Sequence, residues 1–170
     1  VKLFKYKYPI ENALLVLLKR KKVKNIKKNK YKPSRNLKMT DNYIKNFNFV
    51  RDSIIKKLIY LKDKYGKIAI FGAGHISIMF INLLNLKKYI DFVVDDNTNK
   101  QKHLMPGSKL EIKNSSYLVS NKVKICLMSL NPFIERKVVN KNKVFLKNGG
   151  KFISIFPYKK NQSIFGNIKL

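Results

Sequence analysis

Four apolar residues, Ile68-Ala69-Ile70-Phe71, run straight into Gly72-Ala73-Gly74, after which Ile76, Phe80, Leu83 and Leu84 recur at helical spacing. This succession constrains the fold more than any other feature of the chain. It demands a short buried strand, a tight glycine turn and a helix that packs back onto the strand. The same alternation continues downstream. Ile90 to Val94 predicts a second strand ending at Asp95-Asp96-Asn97, followed by a loop with Pro106-Gly107 and a short edge strand over Lys109 to Ile112. A helical turn over Ser115 to Val119 leads to a third buried strand, Val123 to Met128. Asn131-Pro132 opens a helix to about Lys147, and Gly149-Gly150 turns the chain into a last strand, Phe152 to Phe156, ended by Pro157. Strands alternating with helices predict an α/β fold: a Rossmann-like, mostly parallel sheet with helices on both faces.

A long amphipathic helix is expected ahead of this unit, over 40–65. Thr40 or Asp41 can cap its first amides, and Gly66 ends it. Tyr43, Phe47, Val50, Ile54, Leu58 and Leu61 recur at steps of three or four, with Lys56, Lys57, Lys62 and Lys64 largely off the stripe. Residues 1–39 form a basic N-terminal segment. Within it Pro9 to Lys19 suits a short helix, Lys19 to Lys32 is nearly all Lys and Asn and suits a loop, and Pro33-Ser34 continues the irregular stretch. The expected organisation is therefore this segment, a Rossmann-like domain over 40–157, and a basic C-terminal tail over 158–170.

The turn itself reads G-x-G-x-x-S over Gly72 to Ser77, with Asp95 about 20 residues on, at the end of the next strand. Those are the contextual requirements of a dinucleotide-binding turn. Glycine lets the backbone approach a phosphate, and the helix N-terminus offers unpaired amides with partial positive charge. Asp95 or Asp96 is placed to accept hydrogen bonds from a ribose or sugar hydroxyl, and His75 either touches phosphate or sugar or simply caps the helix. Ser77 replaces the usual third Gly or Ala, which predicts looser packing of helix on strand. The plainer alternative is a crossover that needs glycine for the turn alone. No catalytic constellation accompanies the turn. The only histidines are His75 and His103, so a Cys/His zinc site has no ligands to draw on, and Cys126 lies inside a strand as core rather than nucleophile.

The net charge of +29 invites a nucleic-acid or membrane reading, but its distribution argues otherwise. Residues 1–40 are net +13 and residues 121–170 net +10, whereas 41–66 and 67–120 are each only +3. Only 4 of the 38 basic residues are Arg, the side chain that reads bases by bidentate contacts. Neither a specific nucleic-acid partner nor a transmembrane segment is expected; the longest apolar run, Ala13 to Leu18, is far too short to cross a bilayer. A single cysteine and no evident export signal fit a cytoplasmic location.

Three stretches taken together carry a family resemblance: Gly72-Ala73-Gly74-His75, then Asp95-Asp96-Asn97-Thr98-Asn99-Lys100-Gln101, then Met105-Pro106-Gly107-Ser108-Lys109-Leu110-Glu111-Ile112. With Ser129-Leu130-Asn131-Pro132, Glu135 and Gly149 to Ile153 in the expected places, residues 43–157 resemble the C-terminal domain of the sugar C-methyltransferases. Those enzymes methylate a carbon of a nucleotide-linked deoxysugar with S-adenosylmethionine. The resemblance implies that this domain holds the nucleotide-sugar, while the methyl donor and catalytic base belong to a central methyl-transfer domain. S-adenosylmethionine is thus implied for the whole enzyme and not expected to bind this chain. It also implies ligand-binding roles for Gly72, Ala73, Gly74, His75, Asp95, Asp96, Lys100, Pro106, Gly107, Ser129 and Asn131, with Lys100 meeting phosphate. Many members carry a lysine where this protein has His75-Ile76-Ser77. Residues 1–40 do not resemble a methyl-transfer domain, so that domain is expected upstream of Val1, in trans, or lost, leaving this chain inactive alone. Two other readings stand beside it: an NAD(P)-binding oxidoreductase or nucleotide sensor, and a basic adaptor for nucleic acid or membrane.

Overall fold

The structure, a computed structural model, describes residues 2–7, 12–17, 34–156 and 163–166. It divides into two compact units, Val1–Leu37 and Lys38–Leu170. In the first, strand β1 (Lys2–Lys7) pairs antiparallel with β2 (Asn12–Leu17), Phe4 standing opposite Leu15 and Tyr6 opposite Ala13. This corrects the helix expected over 9–19, of which Asn12–Leu17 is strand. A short continuous apolar run satisfies either periodicity, and pairing with β1 decides the matter. The loop expected over Lys19 to Lys32 lies outside the described residues.

Helix α1 spans Ser34–Tyr65. It starts six residues ahead of Thr40-Asp41, which therefore lie inside it rather than at its cap, and Ser34 is helical rather than irregular. Neither glycine nor proline interrupts the sequence between Ser34 and Tyr65, so nothing local stops the helix earlier. Its buried stripe is shorter than the sequence suggests. Ile54 and Leu58 are fully buried and Phe47, Val50 and Leu61 pack beside them, but Tyr43 is exposed. At about 1.5 Å per residue α1 is roughly 48 Å long, while a four-residue strand covers about 13 Å, so the sheet can cover only part of the helix.

The sheet holds β3 (Ile68–Phe71), β4 (Phe92–Val94), β5 (Ile112–Lys113), β6 (Ile125–Met128) and β7 (Lys151–Ser154), in the order β5-β4-β3-β6-β7 with every pairing parallel. Alternation along the strands divides the core in two. Ile68, Ile70, Val93, Ile125 and Leu127 meet α1 and helix α2 (His75–Leu83) through Ile54, Leu58, Phe80 and Ile81. Ala69, Phe71, Phe92, Val94, Cys126 and Met128 meet helices α3 (Tyr117–Ser120), α4 (Pro132–Lys141) and α5 (Lys143–Lys147) through Leu118, Val138 and Phe145. The expected α/β sandwich is therefore present, helices on both faces. Cys126 is wholly buried, and burial pushes its thiol pKa far up, which suits core and not nucleophile.

The helix expected from Pro132 to Lys147 is two, broken at Asn142, whose side-chain amide donates to the carbonyl of Val138 at 2.9 Å. Residues 163–166, within the stretch assigned to a basic tail, return to the sheet. Ser163 bridges Ser154 in parallel, Ile164 joins the core around Ile54, and the Lys57 ammonium donates to the carbonyls of Ile164 (2.9 Å) and Gly166. Pro157 lies outside the described residues. No described helix is long and apolar enough to cross a membrane.

Candidate functional site

The strand order reverses between β3 and β6, since β4 and β5 lie on one side of β3 and β6 and β7 on the other. Such a switch point opens a crevice beyond the carboxyl ends of the two strands. Phe71 and Met128 are register partners there, so Gly72 and Ser129 leave the sheet side by side. Ser129 closes the base: its amide donates to Phe71 O at 3.1 Å and its hydroxyl sits 2.7 Å from the same oxygen. Gly72 has φ +104°, and a Cβ there would stand 2.7 Å from Leu130 Cδ2 and 2.9 Å from Ser129 Oγ. Any other residue would be strained there and would have to push aside the Leu130 and Ser129 side chains.

The turn's own amides are largely engaged within the protein. Gly72 N–H donates to Val94 O at 2.8 Å, Ala73 N–H to Asp95 Oδ2 at 2.8 Å and Gly74 N–H to Ser77 Oγ at 3.2 Å. Ser77 is fully buried, with its hydroxyl 2.6 Å from Gly72 O and 2.8 Å from Gly74 O. The looser packing expected of Ser77 is not found, because the hydroxyl laces strand end to helix start as a cap does. Ser77→Ala should cost about 1–2 kcal/mol by stranding buried backbone groups, measurable by urea unfolding with an unchanged m-value. The first intrahelical bond runs from Ile78 N–H to Gly74 O, so the first-turn amides of His75 and Ile76 precede the helical ladder and are the groups left for an anion. His75 is exposed at this end of α2.

Two consecutive acids at the end of β4 do different work. Asp95 braces the turn: beyond Ala73 it accepts from Asn97 N–H at 2.9 Å and from the Lys100 ammonium at 3.2 Å. Asp96 faces elsewhere, accepting from Lys141 Nζ at 2.8 Å. Burial pushes the Asp96 carboxyl up, but hydrogen bonds from Lys141 and Ser115 and the Lys141 charge outweigh this and hold it below the ordinary 3.8. A depressed folded pKa stabilises the fold above the unfolded value and loses that contribution as pH falls through the folded one. Asp96→Asn should therefore flatten the acid limb of a melting-temperature profile below about pH 4.

Gly72, Ala73, Gly74, His75, Asp95, Lys100 and Ser129 thus gather around the crevice. Asn131 stands at its edge as the cap of α4, accepting from Phe133 N–H at 3.0 Å. Pro106 and Gly107 dock on the far end of α2, where Asn82 Nδ2 donates to Pro106 O at 3.0 Å and Gly107, at φ +76°, has no room for a Cβ against Asn82. Asn82 lies about 10 Å along the helix from His75, so these two brace α2 rather than line the turn. Lys141, Ser115 and Asn82 carried no signal in the sequence, since each acts through a partner 19 to 45 residues away.

A doubly wound parallel sheet with a glycine turn at its switch point defines a Rossmann-like domain. The sequence matches the model of the C-methyltransferase C-terminal domain over residues 18–157, and the protein belongs to that family. No curated protein matches it. Among solved structures, UDP-D-quinovosamine 4-dehydrogenase from Vibrio fischeri is similar at 22% identity and TM-score 0.43, covering 61% of this chain and 90% of that one. A likeness that distant carries no argument about ligand or reaction.

Proposed function

We propose that this protein is the nucleotide-sugar-binding module of a sugar C-methyltransferase, acting with a methyl-transfer domain supplied in cis or in trans. The observation that carries the reading is the crevice at the β3/β6 switch point in a member of this family. There the first turn of α2 presents amides and positive dipole to a diphosphate. Lys100, about two-fifths exposed beside Asp95, adds a cation within reach of a phosphate. Gly72, Gly74 and Ser129 give the backbone shape, Asp95 holds the turn, and His75 and Asn131 stand at the rim. The donor S-adenosylmethionine would supply an electrophilic methyl group to the complete enzyme. The pattern G-x-G occurs once in the sequence, at Gly72-Ala73-Gly74, which supports a site for one nucleotide ligand and not for a second. The net +3 of residues 67–120 supports a small-molecule ligand over a polyanion.

Calorimetry on the full chain tests the reading. A nucleoside diphosphate sugar is expected to bind in the micromolar range, with S-adenosylmethionine and NADH much weaker. Tight binding of the methyl donor, or no heat with any nucleotide-sugar, would overturn it.

A further inference from the structure

Beside the crevice lies a second hollow, at Asp96, the acid that the sequence leaves interchangeable with Asp95. A cavity of about 500 Å³ opens beside Asp96, between α3 and the junction of α4 and α5, lined by polar groups from Asp96, Ser115, Ser116, Ser120, Lys141 and Asn142. Val119, Val144 and Phe145 provide an apolar wall. Its size is that of a small-molecule pocket and admits a five- or six-membered ring with substituents.

The geometry points to this cavity as the subsite for a hydroxyl-bearing sugar ring, with Asp96 and not Asp95 as the acid that receives the hydroxyls. The inference rests on the crevice being a nucleotide-sugar site. Asp95 already holds three donors, Ala73 N–H, Asn97 N–H and Lys100 Nζ. Those three occupy both lone pairs of Oδ2 and one of Oδ1, and only 14% of the Asp95 side chain is exposed, so a single lone pair there is left for a ligand. Asp96, the next residue, presents its carboxylate on the cavity side, paired with Lys141. Lys141 is two-thirds exposed and has further protons to give, so acceptor and donor stand together, as a vicinal diol requires. Their charges cancel locally, which favours a neutral ring over a second phosphate. The hydroxyl of Ser116 is exposed and has no partner among the described residues, and the apolar wall suits the carbon face of a ring.

The ring can be the ribose or the hexose of the ligand, since both offer adjacent hydroxyls. Amide NMR on the full chain with UDP-glucose and dTDP-glucose tests the assignment, and UMP and glucose 1-phosphate added separately tell which ring enters. Movement of the Ser115–Ser120 amides together with those of Gly74–Ile76 is expected. Ser116→Trp, an exposed position at the cavity, should weaken nucleotide-sugar binding at least tenfold and silence the Ser115–Ser120 response. Ser120→Trp serves if the first variant melts early. If the turn amides move, the cavity amides do not and the tryptophan variant binds as well as wild type, the subsite is wrong and the nucleotide reading stands. If only the cavity amides move, the subsite stands and the turn does not hold the diphosphate. If neither responds to any probe, both are overturned.

Discussion

Gly72→Val should unfold the glycine turn and abolish nucleotide-sugar binding together. Position 72 sits at φ +104°, where a β-branched side chain is strained by about 1–3 kcal/mol. Its Cβ would also come within 2.9 Å of Ser129 Oγ and 2.7 Å of Leu130 Cδ2. Relief requires Ser129 to release Phe71 O or the turn to leave its bond with Val94 O, and either opens the base of the crevice. The combined loss should reach about 3 kcal/mol and lower the melting temperature by on the order of 10 °C. Calorimetry of the surviving folded fraction should show no nucleotide-sugar binding. Gly107→Ala provides the comparison. It has a positive φ and a clash with Asn82 as well, but at the far end of α2, so it should destabilise with affinity largely kept. Equal loss of affinity in both variants would mean that the turn has no special part in binding.

Phe145→Ala should have the other large effect, on stability. Phe145 is 1% exposed, its ring centroid lies 4.9 Å from that of Phe152, and Gly150 passes so close that a Cβ would stand 2.5 Å from its Cδ2. Backbone is thus already pressed against the ring, and Phe152 of β7 packs beside it at a tilt of 56°. Removing the ring leaves a void the glycine turn at 149–150 cannot collapse to fill, at a cost of about 3–5 kcal/mol and a melting temperature lower by on the order of 10–15 °C. Thermal unfolding followed by circular dichroism measures it, and a loss below about 1 kcal/mol would contradict the packing. Phe145→Leu keeps most of the volume and should recover more than half of the loss.

The legible part of this protein was local. Ile68 to Phe71 could be assigned to a buried strand, Gly72 to Gly74 to a turn and Ile76 onward to a helix because each assignment depends on residues within a few positions. Hydrophobic period and permitted φ are properties of short segments. Repetition of that pattern then fixed the α/β class and the parallel sheet, and the spacing to Asp95 placed an acid beside the turn. The same local logic misled at Asn12–Leu17, where an apolar run long enough for either structure became a strand by pairing with Lys2–Lys7. It also carried the α1 stripe to Tyr43, past the part of the helix that the sheet covers.

Tertiary structure alone decided what the polar residues do. Nothing in Asp95-Asp96 says which acid braces the turn and which faces a cavity. That division follows from Ala73 lying 22 residues before one and Lys141 lying 45 residues after the other. Ser77 looks like a poor substitute for glycine until its hydroxyl is seen on Gly72 O, and nothing in Pro106-Gly107 says that it docks on Asn82 at the far end of α2. The physical reason is common to all of them. Backbone preference is set by neighbours in the chain, whereas a polar side chain in a folded protein takes whichever partner packing brings within about 3 Å, and that partner is fixed only once the sheet order is.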